Sequence, residues 1–149
     1  MKILMVCLGN ICRSPLAQGI LERKVKDQKL PWEVDSAGTA SYHVGNLPDP
    51  RSIDKATEYG IDITHQRSRK VTKSDLKNFD LILAMDASNY NNLVKLSDDS
   101  IDDSKIKMIL NYTHPGENRQ VPDPYYDDGF ENVFKLLDEA CDRLIKAEA

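Results

Sequence analysis

The chain has 149 residues, of which 40% are hydrophobic and 30% charged, and its formal net charge is −4. This length fits one domain with a sizeable core, so we expect a single domain over residues 1–149. The mildly acidic balance offers no global attraction to nucleic acid or to an anionic membrane. The apolar run at residues 3–6 is too short for a signal-peptide core or a membrane span, and we expect a cytoplasmic protein.

A strand, a tight turn and a helix are predicted at the amino-terminal end. Residues 3–6 are a continuous apolar run, which is typical of a buried strand. The Ser-Pro pair at 14–15 is a helix-start signal, and apolar residues at helical spacing extend the predicted helix to about Lys26. The turn between the two elements carries Cys7 and Arg13, separated by five residues.

The composition of this turn favours an anion-binding loop. Gly9 and Asn10 both tolerate positive φ, so the backbone N–H groups of residues 8–13 can turn inward as a nest. The helix N-terminus adds its dipole, and Arg13 adds a planar cationic fork. Most cysteines that end a strand are small buried hydrophobes, but this surrounding predicts a Cys7 thiolate that faces a bound tetrahedral oxyanion.

Strands and helices alternate along the rest of the chain. Further strands are predicted at 32–36, 79–85 and 106–110, and further helices at 50–59, 74–77, 87–96 and 129–146. Asp86 is expected to cap the helix at 87–96. The alternation predicts an α/β fold with an open four-stranded parallel sheet, strand order 2-1-3-4, and helices on both faces. Ligands bind at the switch point of such a sheet, beside the first strand, where Cys7 ends it.

Two loops are candidates for the remainder of a site. Residues 38–50 lack periodicity and present one aromatic, Tyr42, as a surface residue or as a wall of a cleft. In the long loop 111–129, prolines flank Asp123 and restrict its backbone, and a rigidly presented carboxyl suits a general acid. Asp127 and Asp128 are alternatives, and the Pro-Asp-Pro presentation favours Asp123.

Other polar features have less specific interpretations. The basic stretch at 67–73 indicates a solvated face, with a docking patch for an acidic partner as the alternative. Cys141 lies on the apolar stripe of the last predicted helix and is expected in the core. The three cysteines have no zinc-finger spacing, no His/Asp/Glu cluster suggests a metal site, and no cofactor is expected.

The segment Val6-Cys-Leu-Gly-Asn-Ile-Cys-Arg-Ser-Pro15 resembles the signature loop of the low-molecular-weight protein tyrosine phosphatases. The resemblance continues in Asp35-Ser-Ala-Gly38, Pro48-Asp-Pro-Arg51 and Asp123-Pro-Tyr-Tyr126, in the family's order and over essentially the whole chain.

The resemblance implies a metal-independent phosphatase that hydrolyses phosphotyrosine in a protein or peptide and releases inorganic phosphate. Cys7 would form a phosphocysteine, Arg13 would bind the phosphoryl oxygens, and Asp123 would be the general acid and base. The phosphate-binding loop would comprise Leu8, Gly9, Asn10, Ile11, Cys12 and Ser14. Ser36 and His65 would support that loop, His65 by a hydrogen bond to Ser14. The cleft walls would be Tyr42, Tyr125 and Tyr126.

Two other function classes remain open at this point. Thioredoxin-linked arsenate reductases share the fold and the Cys-x5-Arg loop, but their chemistry needs a relay of further cysteines, and here only Cys12 and Cys141 remain. A non-catalytic phosphate-binding module would lack the nucleophile or the acid, and neither is missing. Cys12 is either a loop spacer or the partner in a reversible Cys7–Cys12 disulfide that shelters the thiolate from over-oxidation.

Overall fold

Four parallel strands form the centre of the molecule. The computed structural model describes all 149 residues, with strands at Lys2–Cys7 (β1), Glu33–Gly38 (β2), Leu81–Ala84 (β3) and Ile106–Met108 (β4). Their order in the sheet is β2-β1-β3-β4, and every pairing is parallel. The predicted fold class and strand order are therefore confirmed.

Helices cover both faces of the sheet, as predicted. They span Arg13–Asp27 (α1), Pro50–Glu58 (α2), Lys73–Asn78 (α3), Ala87–Leu96 (α4) and Phe130–Glu148 (α5). Successive side chains of a strand point to opposite faces. Ile3, Met5 and Cys7 accordingly belong to the core formed with α1, α2 and α5, while Leu4 and Val6 belong to the core formed with α3 and α4. None of the helices combines the length and apolarity needed to cross a lipid bilayer.

Several predicted strand boundaries differ from the observed ones. The strand predicted at 79–85 is shorter, because Phe79 ends α3 by donating its N–H to the Asp75 carbonyl. The strand predicted at 106–110 ends at Met108, and Ile109–Tyr112 forms a 3-10 helix. The strand predicted at 32–36 extends to Gly38, which pairs with Cys7. Apolar runs indicate burial, whereas ladder hydrogen bonds decide where a strand ends.

The sheet order places Cys7 at the switch point. β1 lies between β2 and β3, and Cys7 is its last residue. Gly38 ends the neighbouring β2, and Asp86 follows β3 on the other side. The carboxyl ends of three strands therefore converge around the cysteine, which is where an open α/β sheet binds its ligand.

Candidate active site

The carbonyl groups of the turn between β1 and α1 are held by neighbouring segments. The N–H groups of Thr39 and Ala40 donate to the carbonyls at positions 7 and 8, at 2.9 and 3.0 Å. Ser68 Oγ donates to the Gly9 carbonyl at 2.9 Å. These bonds fix the turn from its outer side.

The N–H groups of the same turn are free. The amides of residues 8–12 donate to no acceptor within the protein, although their carbonyl neighbours are bonded. Backbone donors near the protein interior are ordinarily paired. A run of unpaired N–H groups ahead of a helix N-terminus is the arrangement of an anion-binding nest.

Asn10 holds the turn together from within. It takes the left-handed conformation at φ 57°, whereas Gly9, which also tolerates positive φ, does not. The buried Asn10 amide donates to Ser14 Oγ at 2.8 Å and to Ser36 Oγ at 3.0 Å, and its Oδ1 accepts from the Arg69 N–H at 3.0 Å. The turn is thus tied to α1, to β2 and to the segment before α3.

Ser36 lies in this network, as the resemblance implied. Its hydroxyl accepts from Asn10 and donates to Gln18 Oε1 at 2.7 Å. Gln18 lies on α1, so a buried polar chain runs from the turn through β2 to the helix. Fully satisfied buried polar groups of this kind rigidify the elements that they join.

Ser14 has a different place from the predicted one. α1 begins at Arg13, two residues before the predicted start at Pro15, and Cys12 at the cap position makes no side-chain capping bond. Ser14 therefore lies inside the first turn, where its hydroxyl is 3.0 Å from Cys7 Sγ. A hydroxyl at this distance can donate to a thiolate and stabilise its charge.

Arg13 is fixed by two acceptors from other elements. Its guanidinium is 3% exposed, and Nη1 donates to Asp86 Oδ2 at 2.7 Å and to the Val121 carbonyl at 3.1 Å. Burial opposes the charged form, but the charge of Cys7 and the hydrogen bond to Asp86 outweigh it and raise the pKa of Arg13. Arg13 Nε and Nη2 make no hydrogen bond within the protein. These two donors can therefore bind two oxygens of one oxyanion at the same time.

Sequence reasoning missed the second role of Asp86. It was expected only as the cap of α4, and Oδ1 does accept from the Asn89 N–H at 2.8 Å. The other oxygen binds Arg13. Its position after β3, beside β1, is the signal that could have identified it, because both residues lie at the carboxyl edge of the sheet.

A cleft of about 310 Å³ lies over Cys7, and Asp123 is on its rim. Asp123 Oδ1 accepts from the Tyr125 N–H at 3.0 Å, and Oδ2 is 3.6 Å from Arg13 Nη2. Asp127 and Asp128 do not line this cleft. Asp127 accepts from the Gly129 N–H, and Asp128 pairs with Arg51. Geometry therefore favours Asp123 among the three carboxylates.

Apolar and aromatic side chains form the walls of the cleft. Tyr42 is 76% exposed and Tyr126 is 90% exposed, and both line the cleft together with Tyr125, Leu8 and Ile11. The Tyr125 and Tyr126 rings meet edge to face, with centroids 4.9 Å apart. The walls are suited to a flat aromatic group.

His65 does not support Ser14. It is exposed and lies in a separate depression with Glu22 and Asp62, whereas the Ser14 hydroxyl contacts Asn10 and Cys7. The side-chain amide of Asn10, and not His65, donates the hydrogen bond to Ser14 Oγ. The predicted His65–Ser14 hydrogen bond is therefore wrong.

The basic stretch at 67–73 is not simply a solvated face. The Arg69 guanidinium pairs with Asp35 at 3.0 Å and with Asp75 at 2.9 Å, while its N–H binds Asn10. Ser68 in the same stretch binds the turn at Gly9. Part of this segment therefore supports the nest from outside.

The other two cysteines are buried and free, as is Cys7. Burial raises the pKa of Cys12 to about 12, with smaller contributions from the charges of Asp49 and Cys7. Burial likewise raises the pKa of Cys141 to about 12, and this residue lies within the core on α5. A thiol enclosed in this way is not placed to relay electrons, which weighs against the reductase alternative. The Cys7–Cys12 disulfide stays a prediction.

Gly38 offers a test of how tightly the nest is held. An added Cβ would lie 2.7 Å from the Leu8 carbonyl oxygen and 3.2 Å from Asn10 Cβ. We expect Gly38→Ala to displace the turn, weaken phosphate binding about tenfold, and destabilise the fold by about 1–3 kcal/mol through overpacking. Calorimetric titration with phosphate and denaturant unfolding measure the two effects.

Gly19→Ala is the matched control. Its Cβ would lie 2.5 Å from Ile63 Cγ2 and 3.1 Å from Ile61 Cγ2, so the substitution also overpacks the protein but meets no atom of the turn, and we expect phosphate affinity to be unchanged. Undiminished phosphate affinity in Gly38→Ala would contradict the close approach of β2 to the turn.

Comparisons with known proteins identify relatives that match almost the whole chain. A family model described as low molecular weight phosphotyrosine protein phosphatase matches residues 2–148. The chain is 41% identical to a Gallus gallus protein of that name, covering 98% of this chain and 92% of the relative. The crystal structure of YfkJ from Bacillus subtilis superposes with a TM-score of 0.93 at 36% identity, over 99% of this chain and 93% of the other. The structure of a Drosophila arginine phosphatase, DARP, does so with a TM-score of 0.90 at 34% identity, over 99% and 97%.

Proposed function

Because the chain belongs to the low molecular weight phosphotyrosine protein phosphatase family, it is a hydrolase of phosphate monoesters, and we propose that it acts on phosphotyrosine through a phosphocysteine at Cys7. The observation that carries this proposal is the run of free N–H groups at residues 8–12, between Cys7 and Arg13.

The first step is binding of the phosphoryl group. The free amides and the open edge of Arg13 donate to its oxygens, while Asp86 and the Val121 carbonyl hold the guanidinium in place. Because these donors are already positioned before the reaction, they stabilise the charge that the equatorial oxygens carry in the transition state.

The second step transfers the phosphoryl group to sulfur. The Cys7 thiolate attacks phosphorus, the S–P bond forms, and the bond from phosphorus to the phenol oxygen breaks. The leaving phenolate takes a proton from Asp123, since the conjugate acid of a phenolate has a pKa of about 10. The products are free tyrosine hydroxyl, an ionised Asp123 and phosphocysteine.

The third step hydrolyses the intermediate. Asp123, now a carboxylate, removes a proton from a water molecule, whose oxygen attacks phosphorus. The S–P bond breaks and inorganic phosphate leaves. The Ser14 hydroxyl, 3.0 Å from Sγ, donates to the thiolate as it departs and so favours its release.

The walls of the cleft support an aryl substrate. Leu8, Ile11 and three tyrosines line the cleft, and Asp123, whose Oδ2 is 3.6 Å from Arg13 Nη2, is the one carboxylate among the lining side chains. A guanidine leaving group, as in phosphoarginine, presents several N–H donors, and the lining offers a single carboxylate to accept from them. A phenol ring presents none and packs against the walls.

Substrate comparison tests the proposal. We expect kcat/KM for a phosphotyrosine peptide to exceed that for the matched phosphoserine peptide by at least about 100-fold, because an alkoxide is a poorer leaving group and lacks the ring. A phosphoarginine peptide should also be a weak substrate, and a chelator should not change the rates. Equal rates on phosphotyrosine and phosphoarginine would contradict the assignment of the aryl substrate.

A further inference from the structure

Arg51 joins the two loops from which the cleft is built. It lies in the first turn of α2, between the turn that holds Cys7 and the loop that carries Asp123. Its guanidinium contacts both sides, through Asp49 on the first and Asp128 on the second. None of the steps proposed above uses Arg51.

The Asp49 side of this link is anchored to the nest. The Asp49 N–H donates to the Ile11 carbonyl at 2.8 Å, and Ser52 Oγ, on α2, donates to the Cys12 carbonyl at 3.3 Å. Asp49 Oδ1 also caps α2 by accepting from the Arg51 N–H at 2.8 Å. These hydrogen bonds therefore attach the start of α2 to the nest.

The ion pair between Asp49 and Arg51 is bidentate. Arg51 Nε donates to Oδ1 at 3.1 Å, and Nη2 donates to Oδ2 at 3.0 Å. Although partial burial opposes ionisation, these hydrogen bonds lower the pKa of Asp49 below its ordinary value. A bidentate pair of this kind fixes the direction as well as the position of the guanidinium.

The remaining edge of the guanidinium holds the opposite loop. Nη1 donates to Asp128 Oδ1 at 3.1 Å, and the group lies over the Tyr125 ring at 5.5 Å and the Phe130 ring at 4.8 Å. Cation–π contacts add to such a pairing. Tyr125 in turn donates its N–H to the carboxylate of Asp123 at 3.0 Å. Arg51 therefore contacts Tyr125, and Tyr125 contacts Asp123, so a single residue links the guanidinium to the carboxylate.

We propose that Arg51 is a positioning residue, which holds the segment 123–128 at the distance from the nest where Asp123 protonates the leaving oxygen. This inference rests on the proposed function, since it takes Asp123 as the general acid. Arg51 fixes the loop by a planar guanidinium that contacts the carboxylates of Asp49 and Asp128 and lies over two aromatic rings. Lysine keeps the charge but not this shape.

Lys55 provides a matched control on the same helix. It lies one turn further along α2 and pairs with Glu58 at 2.6 Å and with Glu131 at 2.9 Å. It therefore also links α2 to another element, the start of α5, but it does not contact the segment 123–128. Lys55→Gln removes ion pairs of a similar kind but leaves the contacts that hold the segment 123–128 and the Asp123 carboxylate intact.

The experiment compares kcat/KM on two substrates, phenyl phosphate and p-nitrophenyl phosphate, whose leaving group is more acidic. We expect Arg51→Gln to lose about tenfold on phenyl phosphate and about twofold on p-nitrophenyl phosphate, because a displaced acid matters most for the poorer leaving group. Arg51→Lys should be intermediate, and Lys55→Gln should match the parent on both. In an Asp123→Ala background, Arg51→Gln should add less than about twofold, because the two residues act through one group.

A merely structural role gives a different result. Equal losses of Arg51→Gln on both substrates, or losses that persist fully without Asp123, would overturn the inference. If Arg51→Gln fails to fold, Asp128→Gly removes the same acceptor at a position that is 83% exposed and whose φ of 55° glycine tolerates, and it must show the same dependence on the leaving group. If Asp123→Ala itself loses equally on both substrates, the proposed acid fails. If Asp123→Ala discriminates between them and Arg51→Gln does not, only the positioning role is wrong.

Discussion

Cys7→Ser abolishes turnover of aryl phosphates and leaves phosphate binding intact. We expect kcat to fall by more than about 10⁴-fold, the order of loss when an enzyme with a covalent intermediate loses its nucleophile. Phosphate affinity is retained, because the free amides at residues 8–12 and the open edge of Arg13 do not depend on sulfur. Steady-state assays with p-nitrophenyl phosphate and calorimetric titration with phosphate measure the two quantities separately.

Cys141→Ala is the control for this prediction. Cys141 is enclosed in the core on α5, so its replacement affects stability and leaves turnover unchanged. Acid quenching during turnover adds a direct test, since phosphate should be trapped on the peptide that contains Cys7 in the parent enzyme. Retained turnover in Cys7→Ser, or phosphate trapped on another residue, would refute the nucleophile.

Asp123→Ala slows the enzyme in proportion to how poor the leaving group is. General-acid catalysis is worth about 10²–10⁴-fold, and we expect a loss in this range on phenyl phosphate. The loss on p-nitrophenyl phosphate should be about tenfold smaller, because its more acidic leaving group needs less protonation. The measurement is kcat/KM on both substrates, which reports the transfer of the phosphoryl group to Cys7.

Asp127→Asn separates this role from a general effect of charge on the loop. Asparagine keeps the oxygen that accepts from the Gly129 N–H, so the local turn is preserved and both rates stay at the parent level. If Asp127→Asn instead shows the leaving-group dependence and Asp123→Ala does not, then Asp127, and not Asp123, is the general acid.

Local signals explain the predictions that the structure bears out. The apolar run at 3–6, Asn10 in the turn and the helix signal at 14–15 act over a few residues, and they predicted the strand, turn and helix around Cys7. The same signals gave the boundaries less well, since α1 begins at Arg13 and Ser14 turns to Cys7 instead of capping the helix.

Contacts between distant segments could not be predicted in the same way. The Arg13–Asp86 pair spans 73 positions, and the bond from Arg69 to Asn10 spans 59. The residues next to Asp86 and Arg69 in the sequence do not indicate these contacts. Asp86 was expected only as a helix cap, and Arg69 as part of a solvated basic face. His65 was placed beside Ser14 by resemblance, but the structure leaves it exposed elsewhere.

The sequence by itself determined the alternation of strands and helices and the place of Cys7 at the end of β1, because hydrophobic periodicity and turn chemistry are properties of neighbouring residues. The tertiary structure alone decided which side chains hold the nest and which acceptors fix the Arg13 guanidinium. Those outcomes depend on hydrogen bonds between the ends of different strands, and such bonds exist only once the sheet has brought the strand ends together.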